Sequence, residues 1–341
     1  MGRRNKSGQV GKVKVSQSRV KSYRLCKQQH YFRYVERITS KKVKRPFQFG
    51  RIVHSIIEAH ANGEDEPVAF VLDNFDLKQL KVFEAEREMY GDILNDIRVI
   101  MTDYFDYWPD DSFLFSRYKG QAAEFRFDLD MGEFTVVGVI DTVGKAKGLR
   151  WLGEHKTFTR APNDDERWRN VQGSVYIHVA QTLGWFGRID GIMWNYVHSK
   201  PAPDPKMTDG GKWSLAQKSL TLPAKVREFA ERNGYDMTPE LQKLIEVSAA
   251  KREDYFRRVF MPVPRMVVDN VWQDFMVTAR DIVHEGHRKE KTIGRHCSWC
   301  DYEPLCRAEL QGSDVEFVKE RQYIEKADEE DSVSRAESDG D

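Results

Sequence analysis

Alternating apolar positions over residues 134–157 predict two β-strands joined by a turn. The stretch reads FTVVGVIDTVGKAKGLRWLGEHKT, in which the turn-like letters GKAKG separate two apolar halves. Because side chains alternate along a strand, Glu154 and Lys156 share one face and His155 points to the other. Asp141 lies near the end of the first strand, so we expect its carboxylate to approach that of Glu154.

Helical periodicity surrounds this hairpin. A helix within 49–63 is predicted by four apolar residues at helical spacing, namely Ile52, Val53, Ile56 and Ile57. His54 lies beside that apolar stripe, and Ser16 or Ser18 is the expected N-cap of an earlier helix. Further helices are predicted over 75–108, 167–187, 222–233, 238–258 and 267–286. Strands are predicted over 121–130 and 190–198, and the first of them should carry Glu124, Arg126 and Asp128 on one face.

The order of helix, three strands, helix and strand predicts an α/β core in which helices flank a mixed central sheet. A chain of 341 residues is long enough to bury a substantial core. We expect one domain over 15–311. Its predicted parts are a helical insertion at about 60–115, the core at about 120–198, an insertion at about 199–250, and C-terminal helices with a cysteine cluster over 251–311.

Charge is unevenly distributed although the formal net charge is zero. Residues 1–45 contain 15 Lys or Arg and the single acid Glu36, a balance that suits a polyanionic partner or a merely solvated segment. The last fifteen residues contain seven acids against Arg335. We expect 1–14 to be a flexible basic leader and 312–341 to be a largely disordered acidic tail.

Targeting signals are missing from the sequence pattern. The basic N-terminus is not followed by the apolar run of a signal peptide, and no segment approaches the ~18 apolar residues that span a membrane. The expected location is therefore the cytoplasm, without membrane contact. In that reducing compartment the four cysteines are metal ligands or free thiols rather than disulfides.

Several polar residues lie where chemistry is possible. Two carboxylates converging beside a lysine form a hard oxygen site for a divalent cation, although a polar hairpin edge has the same letters. His54 on its apolar face is more often a packing residue than a ligand. Gln172 and Tyr176 form an i, i+4 pair on the helix after the hairpin, which is also common on ordinary packed helices.

The cysteines form a second pattern. Cys297, Cys300 and Cys306 have C-x2-C-x5-C spacing, and Cys26 precedes them by 271 positions. Together they account for one four-ligand site that would join the two ends of the chain. Zinc usually draws thiolates as two local pairs, whereas four thiolates can equally hold a [4Fe–4S] cluster; His296 keeps a mixed zinc site open.

These residues together resemble the PD-(D/E)XK nuclease superfamily, and within it the RecB-like and CRISPR-associated-type exonucleases that carry a [4Fe–4S] cluster, phage members in particular. The resemblance runs from about Ser16 to Leu310. Its motifs, in chain order, are SQS before Cys26, FG before His54, GVID ending at Asp141, EHK from Glu154 to Lys156, Q-x3-Y from Gln172 to Tyr176, and the three C-terminal cysteines. Lys27 stands where relatives often have proline, and 199–250 is an insertion.

The resemblance implies a restriction-endonuclease-like core with helical insertions and an iron–sulfur clasp between the N- and C-terminal segments. It implies a metal-dependent DNA exonuclease that prefers single-stranded ends, acts 5′ to 3′, and serves recombination, repair or phage DNA metabolism. The alternatives are an end-trimming or endonuclease subunit of a recombination or spacer-acquisition complex, and an inactive iron–sulfur DNA-binding subunit. Protein partners and oligomers fit any of these.

The resemblance also implies roles for individual residues. Mg²⁺ or Mn²⁺ would be held by His54, Asp141, Glu154 and the backbone carbonyl of His155. Apart from the resemblance, Glu124 is a secondary candidate for the metal shell because it is expected on the same strand face as Arg126. Lys156 would serve the attacking water or the transition state, and Gln172 and Tyr176 would position the strand or Lys156. The cluster ligands would be Cys26, Cys297, Cys300 and Cys306, and their role would be structural.

Overall fold

A computed structural model describes residues 12–42, 44–75, 84–109, 112–216 and 221–326. Its strands are β1 (Val13–Val15), β2 (Ile38–Ser40), β3 (Leu114–Phe115), β4 (Ala123–Asp130), β5 (Phe134–Ala146), β6 (Leu149–Phe158), β7 (Gly191–His198), β8 (Phe256–Pro262) and β9 (Tyr323–Glu325). Seven of them form a central sheet, while β2 and β9 pair as a separate antiparallel ribbon.

The central sheet is mixed and is organised around β5. Strand β4 pairs antiparallel with β5 over 135–142, β6 pairs antiparallel over 142–146, and β1 pairs parallel over 134–136. Residues 135 and 136 of β5 pair with both β4 and β1, and residue 142 pairs with both β4 and β6. Strands β1 and β6 must therefore lie on the edge of β5 opposite β4. In the described chain, 137–141 has no strand partner on that edge, so the sheet opens just before β6. Beyond β6, strand β7 is parallel and β8 antiparallel.

Helices cover both faces of this sheet. They are α1 (Gln17–Leu25), α2 (Lys27–His30), α3 (Arg45–Asn62), α4 (Pro67–Asp73), α5 (Glu84–Tyr107), α6 (Asp164–Arg169), α7 (Gln172–Thr182), α8 (Pro223–Arg232), α9 (Pro239–Ala249), α10 (Arg265–Glu285), α11 (Glu303–Gln311) and α12 (Val315–Gln322). A π-helix covers Tyr31–Val35, and 3₁₀ turns cover Arg252–Asp254 and Arg295–Trp299. The predicted α/β class with a mixed sheet between helices is confirmed.

Two apolar cores hold the layers together. Helices α1, α7 and α10 pack against one face around residues such as Trp194 and Trp272. On the other face, α3, α4, α5 and α8 pack around Ile56 and Ile97 and reach Val197 of the sheet. Because Trp194 and Val197 differ by an odd number along β7, their side chains lie on opposite faces.

The structure corrects both predicted ends of the domain. The predicted leader 1–14 runs into β1, because Val13–Val15 pairs with β5; residues 1–11 lie outside the described chain. The predicted tail 312–341 begins with α12 and β9, and Tyr323 is buried against Tyr302. These short segments fold because they pair with distant strands, which local composition does not reveal. Residues 327–341 lie outside the described chain.

Two helix predictions also need correction. The helix predicted over 167–187 is divided into α6 and α7 by a break at Asn170 and ends at Thr182. The helix predicted over 238–258 ends at Ala249, and 256–262 forms the edge strand β8 instead. The other predicted helices are present, although 76–83 lie outside the described residues. No described helix is long and apolar enough to cross a membrane.

Candidate active site

Three carboxylates lie in one row across neighbouring strands. The β4–β5 register pairs Ala123 with Thr142 and Phe125 with Ile140, so the intervening Glu124 is set against Asp141. The β5–β6 ladder ends at Thr142 and Gly153, and continuing it by one residue sets Asp141 against Glu154. The extended register therefore sets the two hairpin carboxylates on facing positions, at the point where the sheet opens.

Asp141 binds the backbone of β6 and lies next to His54 of α3. Its Oδ2 accepts the backbone N–H of His155 at 2.9 Å and lies 3.7 Å from His54 Nδ1. His54 Nε2 lies 2.9 Å from the carbonyl oxygen of His155. A carbonyl can only accept, so Nε2 carries the proton and Nδ1 turns its lone pair toward Asp141.

Electrostatics keep the His54 ring neutral. Burial lowers the pKa of His54, and although the Glu124 carboxylate opposes this effect, Lys156 adds to it. A neutral imidazole is the form that binds metal ions. His54 therefore lies beside the site, where its neutral ring can act as a ligand in addition to packing.

Glu124 joins the same group through an unusual backbone. Ligand atoms of His54, Glu124 and Asp141 all lie within 4.8 Å of one another. Glu124 has φ = 54°, and this left-handed backbone interrupts the strand alternation. As a result Glu124 is buried while Arg126 and Asp128 are exposed. The prediction that these three side chains share a face is wrong.

Glu154 and Lys156 form a buried ion pair next to this group. Lys156 Nζ lies 2.9 Å from Glu154 Oε1, with the carboxylate fully buried and the lysine 9% exposed. The contact lacks hydrogen-bond geometry, and neither oxygen of Glu154 accepts a hydrogen bond from any described residue. A buried carboxylate without hydrogen bonds is costly unless a further cation compensates it. The carboxylates of Glu124, Asp141 and Glu154 offer several oxygen ligands, and their negative charge is only partly compensated. Such a set of side chains fits a divalent metal ion.

The His155 ring lies on the far side of β6, as predicted. Asn195 Nδ2 donates to its Nδ1 at 2.9 Å, so Nε2 bears the proton and donates to Thr142 Oγ1 at 3.1 Å. Burial first, and then the neighbouring side chains of His54, Arg258 and Lys156, lower the pKa of His155 well below 6.5. The ring therefore fixes the backbone whose N–H and C=O contact Asp141 and His54.

Sequence reasoning missed Thr142 and Asn195. Both are polar side chains in otherwise apolar strands, with Asn195 fully buried and Thr142 1% exposed. Buried polar residues require partners. That requirement is the signal that would have singled them out.

Gln172 and Tyr176 reach the site from α7. The Tyr176 hydroxyl is hydrogen-bonded to the Gln172 side chain and the Val139 backbone. Burial, and then the Glu154 and Asp141 carboxylates, raise the pKa of Tyr176, so the phenol stays protonated. The structure thus brings this pair together beside the two carboxylates.

The four cysteines line one cavity, although 271 positions separate Cys26 from Cys297. Gln29, Thr292 and His296 are among the other lining residues. The Thr292 N–H lies 3.5 Å from Cys26 Sγ. Burial raises the pKa of Cys300 to about 11 and that of Cys306 to about 12, and the neighbouring thiols add to both effects. The thiols of both chain ends therefore converge on one cavity.

Comparisons with known proteins identify the family. The sequence profile of the PD-(D/E)XK nuclease superfamily matches residues 14–307, and the chain belongs to this superfamily. Its members are metal-dependent nucleases that use Mg²⁺ or Mn²⁺. A search of curated proteins found no match. A solved structure titled "Crystal structure of SSO0001" is similar over 77% of this chain and 85% of its own, with 11% identity and a TM-score of 0.27.

Proposed function

We propose that this protein is a Mg²⁺- or Mn²⁺-dependent DNA exonuclease that degrades single strands from a free end, 5′ to 3′, in recombination, repair or phage DNA metabolism. One observation carries the proposal. The fully buried Glu154 accepts no hydrogen bond from the residues that the structure describes, lies beside Lys156, and is set against Asp141 by extending the β5–β6 ladder by one residue. Such an arrangement is poorly compensated by itself and becomes balanced when a divalent cation and a phosphate are present.

The protein's residues have distinct roles in this proposal. Asp141, Glu154, His54 and the His155 carbonyl hold the cation. When bound, that cation would polarise the scissile phosphate and acidify its water ligand. Asp141 is oriented by the His155 N–H, and His54 by the His155 carbonyl, so both ligands depend on the same peptide segment.

Lys156 supplies the mobile charge. Its ammonium contacts Glu154 and carries three donors, which it can direct to the attacking water or to the charge that develops on the phosphoryl oxygens. The Tyr176 phenol, held protonated by its surroundings, and Gln172 position the adjoining backbone at Val139.

We further propose that Cys26, Cys297, Cys300 and Cys306 hold a [4Fe–4S] cluster that joins the two chain ends. The sulfurs of a tetrahedral zinc site lie about 3.8 Å apart, because each Zn–S bond is about 2.3 Å long. Among the described residues, the only ligand group confined within 4.8 Å is the one containing His54. No three of the four thiols form so compact a group among the described residues, which favours an occupant larger than one zinc ion.

Labelled single strands test the nuclease proposal. Wild-type protein and Asp141→Ala are incubated with 5′-labelled, 3′-labelled and closed circular single strands, with and without Mn²⁺. We expect metal-dependent release of short products from the 5′ label, no cutting of the circle and no activity in the variant. Cutting of the circle would favour an endonuclease. No cleavage of any strand would favour an inactive DNA-binding subunit.

The cluster is tested separately by Cys300→Ala. We expect loss of visible absorbance and of most soluble protein, because the clasp joins segments at opposite ends of the sequence. Zinc without iron in metal analysis of anaerobically purified wild-type protein would contradict the cluster. Full solubility and activity of the variant would contradict its structural role.

A further inference from the structure

Glu124 has a backbone conformation that side chains with a Cβ rarely adopt. The described chain contains five non-glycine residues with positive φ, and the other four are Arg37, Lys119, Lys147 and Phe186. Those four lie outside the strands and none is buried, whereas Glu124 lies within β4 and is 7% exposed. A strained, buried, charged residue in a central sheet is retained only where the surroundings hold it there.

The surroundings connect Glu124 to the helix that carries His54. Gln121 Nε2 donates to the carbonyl oxygen of Glu124 at 3.1 Å. The next residue of this turn, Ala122, donates its N–H to Oδ1 of Asn62 at 3.0 Å. Asn62 is the last residue of α3, the helix of His54. The unfavourable backbone is therefore anchored to the same element that positions a proposed metal ligand.

The strained backbone has a specific consequence for the side chain. Ordinary strand geometry would alternate Glu124 with Phe125 and direct it outward like Arg126. Instead its carboxylate lies within 4.8 Å of ligand atoms of both His54 and Asp141. A third carboxylate so close to Asp141 raises the local negative charge, and the nearby buried Glu154 accepts no hydrogen bond from the described part of the chain.

We infer that Glu124 is a metal-binding residue of this centre, and that its left-handed backbone is retained because it directs the carboxylate to the cation. The inference rests on the proposed function and adds a ligand to it. It predicts that the residue improves metal binding at the expense of the metal-free fold. Glycine adopts φ = 54° without the penalty that Cβ imposes.

Two substitutions separate binding from folding. Glu124→Gln keeps the size and removes the charge, and we expect Mn²⁺ affinity, measured by the loss of the free-ion electron paramagnetic resonance signal, to fall at least tenfold. Glu124→Gly should also lose affinity, yet its thermal midpoint in EDTA should equal or exceed that of the wild type. Asp128→Asn, an exposed acid on the same strand, is the matched control and should change neither quantity.

The outcomes are distinguishable. Wild-type Mn²⁺ affinity in Glu124→Gln, alongside lost binding in Asp141→Asn, would overturn the inference and leave the proposed function standing. A lower thermal midpoint for Glu124→Gly in EDTA would also overturn it, because the residue would then support the metal-free fold. Absence of Mn²⁺ binding by the wild type itself would reject both the inference and the proposed centre.

Discussion

Replacing Lys156 by methionine isolates the buried ion pair of the proposed centre. Lys156 Nζ lies 2.9 Å from Glu154 Oε1, and the two side chains are 9% and 0% exposed. At that separation the gross attraction is about 6 kcal/mol with an effective dielectric constant of 20. Methionine fills a similar volume but leaves Glu154 buried without its cation.

We expect Lys156→Met to lower the free energy of unfolding by about 3–5 kcal/mol, the usual cost of leaving one buried charge unpaired. The assay is urea unfolding in EDTA at pH 7.5, followed by tryptophan fluorescence and circular dichroism. A double variant with Glu154→Gln removes the unpaired charge. It should be more stable than the single lysine variant, with a coupling energy of about 2–3 kcal/mol.

Metal should partly replace the lost ammonium. Saturating Mn²⁺ is expected to stabilise Lys156→Met more than it stabilises the wild type, because the variant's Glu154 has no other cation. Cleavage activity should nevertheless remain lost. Two results would refute the reasoning. One is a Lys156→Met variant as stable as the wild type. The other is additivity, in which the double variant is less stable than Lys156→Met by as much as Glu154→Gln alone destabilises the wild type.

Three further predictions concern the supporting structure. Burial and then Arg19 lower the pKa of His30 to about 3, below its value near 6.5 in the unfolded chain. The unfolded state therefore takes up the proton first, and stability is lost as the pH falls through 6.5; the expected loss in the free energy of unfolding is about 2 kcal/mol between pH 7 and pH 5. Urea titrations of His30→Gln should lack this pH dependence. Asn195→Leu removes the hydrogen-bond donor to the buried His155 ring, so it should lower the free energy of unfolding by about 1–3 kcal/mol and weaken Mn²⁺ binding, both measured on one preparation. Unchanged Mn²⁺ affinity would show that the His155 ring does not influence metal binding. Gly173→Ala would place a Cβ 2.4 Å from Ile192 Cδ1 and should cost about 1–3 kcal/mol in thermal unfolding, with partial recovery on adding Ile192→Val; an equally stable alanine variant would contradict this packing.

The hairpin and most helices were predictable because their signals are local. The β5–β6 turn narrows to Lys147 and Gly148, both with positive φ, which suits a two-residue hairpin connection. The stripe on α3 is buried as its spacing predicts. Gly173, at the start of α7, lies against Ile192 of β7, where a larger side chain would not fit without a shift.

The missed elements depend on distant partners. Strands β1 and β9 are three residues long and exist by pairing with β5 and β2. Strand β8 carries Arg257 and Arg258 in an edge position, which hides its alternation. Pairing over such sequence separations is not encoded in local periodicity.

The candidate site was predictable in its motif residues and not in its connections. Asp141, Glu154, Lys156 and His54 follow from the motif spacing, and the structure brings them together. The contribution of Glu124 depends on one backbone dihedral angle, and that of Asn195 on the register between β6 and β7. Neither property can be read from residue types.

The most direct test of the account is the rate of single-strand cleavage by Asp141→Asn across a Mn²⁺ titration. Asp128→Asn on the neighbouring strand, prepared in parallel, serves as the matched control. Mn²⁺-dependent cleavage is expected in the wild type and in the Asp128 variant, and no detectable cleavage is expected in folded Asp141→Asn at any Mn²⁺ concentration. Cleavage by Asp141→Asn at the wild-type rate, or wild-type cleavage that persists in EDTA, would contradict the proposed metal-dependent centre.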